Sequence, residues 1–386
     1  MTQHYSCDIA IIGASFAWIS SYLTLRQRLG DSVNIRLFDM RAKFTYIPGL
    51  HRALCDTARL RSLQFDYAEV FGEDFVLGKI HHINHHHELR LENGKHRSFR
   101  FAIIATGSRS NFFGNKNIEK YGLTVRHAED IPVLNNALET AQSVTVVGWW
   151  FTGIEVASVL AERWRRDRGE GYHWLVPAES VGAEDCGTRR GKRQGDSALR
   201  LVHSQKRLIQ HLDPQVWKRC FDWLTDHGVE VILDDRLHDM DSTSVVLWSG
   251  KTIASDITIL SAGNTVNDES HAPQLTFDNS YRALESDNIM MCGDVAIHGL
   301  YATAHNAFLE GRRIWQLIAD AYQGIHNTSY RPLKNFDIFV IALGSHDGVF
   351  VRKQSVFFLP KIAWLMKKMI EIKVLWEFKN KLMLPF

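Results

Sequence analysis

The sequence predicts an α/β fold: two parallel-sheet units, each carrying a three-stranded meander, followed by a C-terminal α+β segment. Three observations lead there. An apolar run that stops at a glycine and enters a helix-compatible stretch occurs twice, ending at Gly13 and at Gly148, 135 residues apart. Short β-patterned runs joined by glycine turns follow each, over 75–104 and 245–262. Each set ends in an apolar strand closed by alanine and glycine, Ala105-Thr106-Gly107 and Ala262-Gly263. Strands alternating with helical patterns are the mark of parallel sheets with crossover connections.

The first unit opens with Cys7 to Ile12, then Gly13, Ser15, Phe16, Ala17 and Trp18, with a helix expected from Phe16 to Leu29. The pattern is G-x-S-x-x-W, where the dinucleotide fingerprint reads G-x-G-x-x-G/A. Gly13 provides the tight turn, and the helix N-terminus offers backbone N–H groups to a pyrophosphate. Ser15 is small enough for close approach; Trp18 is far too large for the third position. Asp39 closes the second strand, Val33 to Phe38, 26 residues after Gly13, where a carboxylate can hold a ribose hydroxyl. Residues 44–52 read as a loop leading to a short helix. The meander is expected as Phe75–Ile83, Glu88–Glu92 and Ser98–Ile104, with a turn at Asn93-Gly94. His81, His82, His85, His86 and His87 fall in it, but neighbouring strand residues point to opposite faces, so a solvated hairpin is favoured over a metal site.

The second unit runs from Ser143 through Gly148, Trp149, Trp150, Phe151, Thr152, Gly153 and Glu155 into a helix. Its outer glycines stand, while Trp150 takes the position where backbone must lie close to a pyrophosphate. A basic insertion follows at 163–197, including Arg189, Arg190, Lys192 and Arg193, far longer than usual connections of about 2–6 residues. A strand at Leu199–His203, a helix at Pro214–Asp226 and a strand at Gly228–Leu233 complete the unit. The meander comes next: Val245–Trp248, a turn at Ser249-Gly250, and Ile253–Ala262. The run 288–296 then sets Gly293 and Asp294 between a strand and a helix expected at Tyr301–Tyr322, a position from which Asp294 can reach a ribityl or phosphate group of a flavin.

Composition bounds the rest. The formal net charge over 386 residues is +2, which excludes a nucleic-acid binder of the whole-surface kind. Five scattered cysteines form no C-x-x-C and argue against a redox disulfide. No secretory signal and no run of 18 apolar residues is visible, so a cytoplasmic chain without a membrane span is expected.

Taken together, Gly13-x-Ser15, Asp39, Ala105-Thr106-Gly107, Gly148 to Glu155, Ala262-Gly263 and Gly293-Asp294 resemble the two-dinucleotide-domain flavoproteins. Within them the chain is similar to the type II NADH dehydrogenase and apoptosis-inducing-factor-like group of pyridine nucleotide-disulfide oxidoreductases. The resemblance implies two Rossmann-like (FAD and NAD(P)) domains with three-stranded meanders, plus a C-terminal α+β segment. It divides the chain into 1–110 and 266–325 for FAD, 111–265 for NADH or NADPH, and 326–386 for an interface or membrane contact. It implies FAD against Gly13, Ser15, Phe16, Ala17, Asp39, Ala105, Thr106, Gly107, Gly293 and Asp294. The nicotinamide dinucleotide would lie against Gly148, Phe151, Thr152, Gly153, Glu155 and Gly263. Electrons would pass from nicotinamide through flavin to a small acceptor, with a quinone favoured. Glu155 and His305 are the implied catalytic residues. His305 and Glu310 stand where that group usually has glutamines, and both are implied to border flavin and quinone.

Two features pull in other directions. Trp18, Trp149 and Trp150 occupy fingerprint glycine positions, so an indole at 18 should push its helix away or point outward. A cofactor-impaired protein with a binding or structural role is therefore the alternative. The stretch 361–381 has Ile362, Leu365, Met369, Ile372, Leu375 and Trp376 at helical spacing, with lysines elsewhere around the wheel. It suits a helix lying on the inner face of an anionic membrane; packing on the protein itself or in a homodimer is the alternative.

Overall fold

The computed structural model describes residues 5–13, 15–54, 56–148, 150–167, 198–266, 277–278, 281–296, 302–322, 325, 338–352, 355–357 and 360–382. Trp149, Tyr301 and the insertion from residue 168 to 197, with its arginine cluster, lie outside them.

In the first unit Cys7–Ile12 (β1), Ile35–Asp39 (β2) and His96–Ile104 (β3) run parallel, with Ile9 opposite both Ile35 and Phe101. Ser286–Met291 pairs parallel with β3 on the far side, so the chain returns to this sheet after the second unit. Phe75–Leu77 pairs parallel with β2. It therefore belongs to the main sheet, and the meander is shorter than the sequence predicted: Ile80–Ile83, Glu88–Leu91 and β3. Gly78, whose N–H donates to Asp39 O at 2.7 Å, separates the two pieces. In the meander His87 is pinned by Phe99 O at 3.1 Å and by Asn288 at 3.3 Å.

The second unit repeats this plan. Ser143–Val147 (β4), Ala198–Val202 (β5) and Ile257–Leu260 (β6) are parallel, flanked by Leu123–Thr124 and Val229–Ile232. The predicted strand 253–262 is split: Thr252–Ala254 stays in a separate three-stranded sheet, and β6 begins after the bend at Ser255-Asp256. The duplication holds to single hydrogen bonds. Gly13 N donates to Phe38 O at 2.9 Å and Gly148 N to Val202 O at 3.1 Å. Ala105 N donates to Ile12 O and Ser261 N to Val147 O, both at 2.7 Å.

Helix Phe16–Leu29 (α1) is buried over its first ten residues, which explains its weak polar face. Trp18 corrects the expectation from its position. Its indole is fully buried, pointing neither outward nor into a pocket, and rests against Tyr67, Phe71 and Phe75 at 5.1–6.5 Å between ring centroids. Its Nε1 donates to Ile11 O at 3.2 Å, so the polar atom is satisfied. The close helix approach that a third glycine would allow is made elsewhere: a Cβ at Gly311 would collide with Ala17 and Ser20 of α1.

The predicted insertion starts later than Arg163, because helix Phe151–Asp167 (α2) continues through it and Trp164 is buried. Helix Pro214–Asp226 (α3) is capped by Asp213, whose side chain accepts from Gln215 N at 2.8 Å. Helix Ala304–Tyr322 (α4) packs on α1.

After it, Ile338–Leu343 (β7) and Asp347–Arg352 (β8) form a hairpin that carries helix Pro360–Lys379 (α5). The hairpin is stitched to one face of α2. Ala342 N donates to Glu155, Gly344 N to Ser158 and Ser345 N to Glu162, at 2.8–2.9 Å. Residues 155, 158 and 162 share a helix face by spacing alone.

Candidate functional site

A cavity of about 900 Å³ lies where the two units and the C-terminal segment meet. That is within the usual range for a sizeable ligand, about 300–1,000 Å³. Of the predicted site residues, Gly13, Ser15, Phe16, Ala17 and Asp39 line it from the first glycine turn and β2. Ala105, Thr106, Gly107, Gly293 and Asp294 line it from the strand ends beside β1. Phe151, Thr152, Glu155, Gly263 and His305 line its other side. Gly148 and Gly153 lie behind the wall, and a Cβ on either would press on Ser261.

The first wall fits a flavin dinucleotide by its backbone. Gly13 has φ +109°, and a Cβ there would collide with the backbone of Ala105 and Thr106. Gly293 has φ +79° and would bring a Cβ to 2.9 Å from that of Ala17. Both are left-handed conformations that favour glycine. Asp39 is buried, and burial pushes its carboxyl up to about 7, opposed by the 2.6 Å hydrogen bond from Arg41 N. It keeps acceptor capacity for a hydroxyl. Asp294 accepts from Ser108 Oγ at 2.8 Å, and Arg126 donates to that same hydroxyl at 2.7 Å. Arg126 fits no motif and carries no spacing signal.

The second wall holds charges. Glu155, at the start of α2, pairs with Lys367 from α5, and both side chains are nearly out of water. Burial draws the Lys367 ammonium down, and the Glu155 carboxylate opposes that. His51 Nδ1 lies 3.6 Å from the carboxylate. Burial, with Lys367 and Arg52 adding to it, holds His51 well below its ordinary value, so it is a neutral neighbour and not an ion-pair partner. Arg52 and Glu371 form a further buried pair behind it. This corrects the reading of 361–381. Lys367 and Glu371 face inward and Leu375 is buried. His51 and Arg52 were missed altogether, because one histidine and one arginine in the short 3-10 helix Ile47–Leu54 carry no spacing signal.

Burial pushes His305 down to about 4, with Lys373 adding to it, so at neutral pH it offers a neutral N–H and stores no proton. Glu310 does not border the cavity. It is buried beneath, where its carboxylate accepts from Gly293 N at 2.5 Å, and burial pushes it up to about 8. Trp150 is half-buried at the cavity's edge. It stacks on His211 at 4.6 Å and packs on Phe151 at 4.8 Å. Cys7, Cys220 and Cys292 are buried free thiols away from the cavity wall.

Comparison with known proteins gives a consistent result. Residues 7–311 match the family model described as pyridine nucleotide-disulphide oxidoreductase. The chain is 23% identical over 367 residues to ferroptosis suppressor protein 1 of Xenopus tropicalis, covering 89% of this chain and 88% of that one. In fold it is similar to the sulfide:quinone oxidoreductase of Aquifex aeolicus, with TM-score 0.78, 15% identity, and 98% and 93% of the two chains covered. NDH2 of Plasmodium falciparum, solved in complex with NADH, matches with TM-score 0.77, 14% identity, and 97% and 96% covered.

Proposed function

The chain belongs to the pyridine nucleotide-disulphide oxidoreductase family, and from that premise we propose that it passes electrons from NAD(P)H through FAD to a quinone or another small acceptor. It is a flavoprotein oxidoreductase that takes FAD and NAD(P)H. The observation that carries the relay is the continuity of one cavity. It runs from the glycine turn at 13, past Asp39 and Asp294, to Glu155 and on to Val374 of α5.

In this reading Gly13, Gly107 and Gly293 let the backbone lie against FAD, and Ser15, Phe16 and Ala17 present the helix N-terminus to its pyrophosphate. Ala105 and Thr106 carry the chain past it. Asp39 accepts from a ribose hydroxyl and Asp294 from the ribityl chain. Phe151, Thr152 and Gly263 form the nucleotide side, with Gly148 and Gly153 shaping the turn behind it and Glu155 nearest the nicotinamide. FAD, when bound, supplies the hydride and electron chemistry. The protein's part is to hold the donor in line, keep water out, and fix charge through Glu155 and Lys367. Phe308, Phe339, Val340 and Ile370 give the third side an apolar lining that suits a flat, apolar acceptor, with the neutral His305 as a hydrogen-bond donor. The test is anaerobic reduction of the bound flavin by NADH or NADPH, followed by reoxidation with a quinone.

Trp150 supports a second reading, in which nucleotide binding is weakened. Overpacking costs about 1–3 kcal/mol. Trp150→Gly is therefore expected to tighten NAD(P)H by about tenfold or more by equilibrium titration. An unchanged affinity would mean that the stack on His211 already clears the site. Trp18→Gly is expected to act quite differently, costing about 4 kcal/mol in denaturant unfolding because it empties a core site.

The outer face of α5 supports membrane contact. Ile362, Leu365, Met369, Ile372 and Trp376 are about half exposed and form one stripe. Lys361, Lys379 and Lys381 are exposed around it. Two such helices from two copies would bring like charges together, whereas an anionic lipid surface attracts them. Among the described residues no helix is long and apolar enough to cross a membrane. Leu365→Glu/Ile372→Glu is expected to lower partition onto vesicles containing anionic lipid by about tenfold or more in a flotation assay. Unchanged partition, with loss of a dimer in solution, would reassign the face to a second copy.

A further inference from the structure

The internal duplication provides a control for the nucleotide's adenine end. In the first unit Asp39 directly follows Phe38, the residue whose carbonyl accepts from the glycine turn. In the second unit the same hydrogen bond goes to Val202, so His203 occupies the position equivalent to Asp39. That position selects between nicotinamide dinucleotides. A carboxylate accepts from a free ribose 2′-hydroxyl and repels a 2′-phosphate, while a nearby arginine accommodates the phosphate.

His203 is buried, with Nε2 at 2.9 Å from Arg207 O, and its Nδ1 has no partner among the described residues. Burial lowers its pKa, so it brings no charge. The residues after it carry no carboxylate from Ser204 to Leu212, and Lys206 and Arg207 are exposed there. The loop is held in shape. Asp234 N donates to Gln205 O at 3.0 Å and Asp235 N to His203 O at 3.2 Å. The Asp235 carboxylate is taken up by Ser249 Oγ at 2.5 Å and Arg236 N at 2.9 Å.

We propose that the donor is NADPH, with its 2′-phosphate held by Lys206 and Arg207 beside His203. The inference rests on the oxidoreductase reading above and narrows it. A phosphate between two cations forms charge-assisted hydrogen bonds, which the free hydroxyl of NADH cannot match.

Calorimetric titration of the flavin-loaded protein with adenosine 2′,5′-bisphosphate and with AMP tests the site without turnover. The bisphosphate is expected to bind about tenfold tighter or more at low salt, with the gap narrowing as salt screens an exposed site. In Lys206→Ser/Arg207→Ser the two ligands are expected to come within about threefold of each other, and His203→Asp is expected to favour AMP. Thermal unfolding of each variant reports whether it is folded. Equal or tighter binding of AMP by the unaltered protein overturns the inference. If NADH then reduces the flavin as well as NADPH does, the oxidoreductase reading stands without it. If neither fragment binds and neither dinucleotide reduces the flavin, the oxidoreductase reading falls too.

Discussion

Lys367→Met is expected to destabilise the protein by about 3–5 kcal/mol, because it leaves the Glu155 carboxylate buried without its cation. Both side chains are nearly solvent-free, at 13% and 6% exposed, so screening by water does not soften the loss. Ala342 N still donates to the carboxylate at 2.9 Å, but His51 does not replace the lysine, since burial, the largest cause of its lowered pKa, and Arg52 still oppose its charging once Lys367 is gone. Glu155→Gln/Lys367→Met removes both charges and is expected to recover most of the stability in denaturant unfolding. Flavin reduction in the double variant is nevertheless expected to stay about a hundredfold slow, because the fixed charge that the proposed function sets beside the nicotinamide is gone. Recovery of stability with full recovery of rate would make the pair a structural feature of the α2–α5 contact. A Lys367→Met protein as stable as the parent would mean that the pair is open to water.

Gly13→Val is expected to abolish flavin retention and to cost about 3–6 kcal/mol, combining a left-handed backbone with a collision. The collision is with the backbone of Ala105 and Thr106, which cannot rotate away as a side chain could. β1 and β3 are locked there by Ala105 N donating to Ile12 O at 2.7 Å. The valine would either part the two strands or turn the glycine loop into the cavity. Gly107 makes a useful contrast. It has φ +72° but nothing within 4 Å of a built Cβ. Gly107→Ala should therefore cost only the backbone strain, about 1–3 kcal/mol. Flavin content after gel filtration and unfolding midpoints separate the two. Full flavin occupancy in Gly13→Val would contradict the assignment of the first turn.

What the sequence made legible was local and repeated. Each glycine turn, each alanine–glycine strand end and the Gly293-Asp294 corner is set by a few neighbouring residues, and the second copy repeats the hydrogen bonds of the first. The errors came where long-range packing decides. Phe75–Leu77 reads as the start of a meander, but its partner is β2, so it joins the parallel sheet. Trp18 violates the fingerprint locally, yet Tyr67, Phe71 and Phe75 provide the space it needs, and only the folded chain brings them together. On α5 the apolar stripe was readable by period, but the direction of its charges was not. Lys367 and Glu371 find partners more than 200 residues away in sequence, on α2 and beside Gly49, and turn inward. Arg126, in a loop, and His51, in the short 3-10 helix Ile47–Leu54, show the same limit, because neither segment has a periodicity to read.

Electron transfer from NAD(P)H to FAD within one cavity, as proposed, leaves a visible signature in the flavin. The most direct measurement is the visible spectrum of the purified protein, recorded anaerobically before and after addition of NADPH or NADH. The expected result is a flavin spectrum that bleaches on addition of donor and returns when a quinone is added. A protein that takes up no added FAD, or a bound flavin that stays oxidised with both donors, would contradict it.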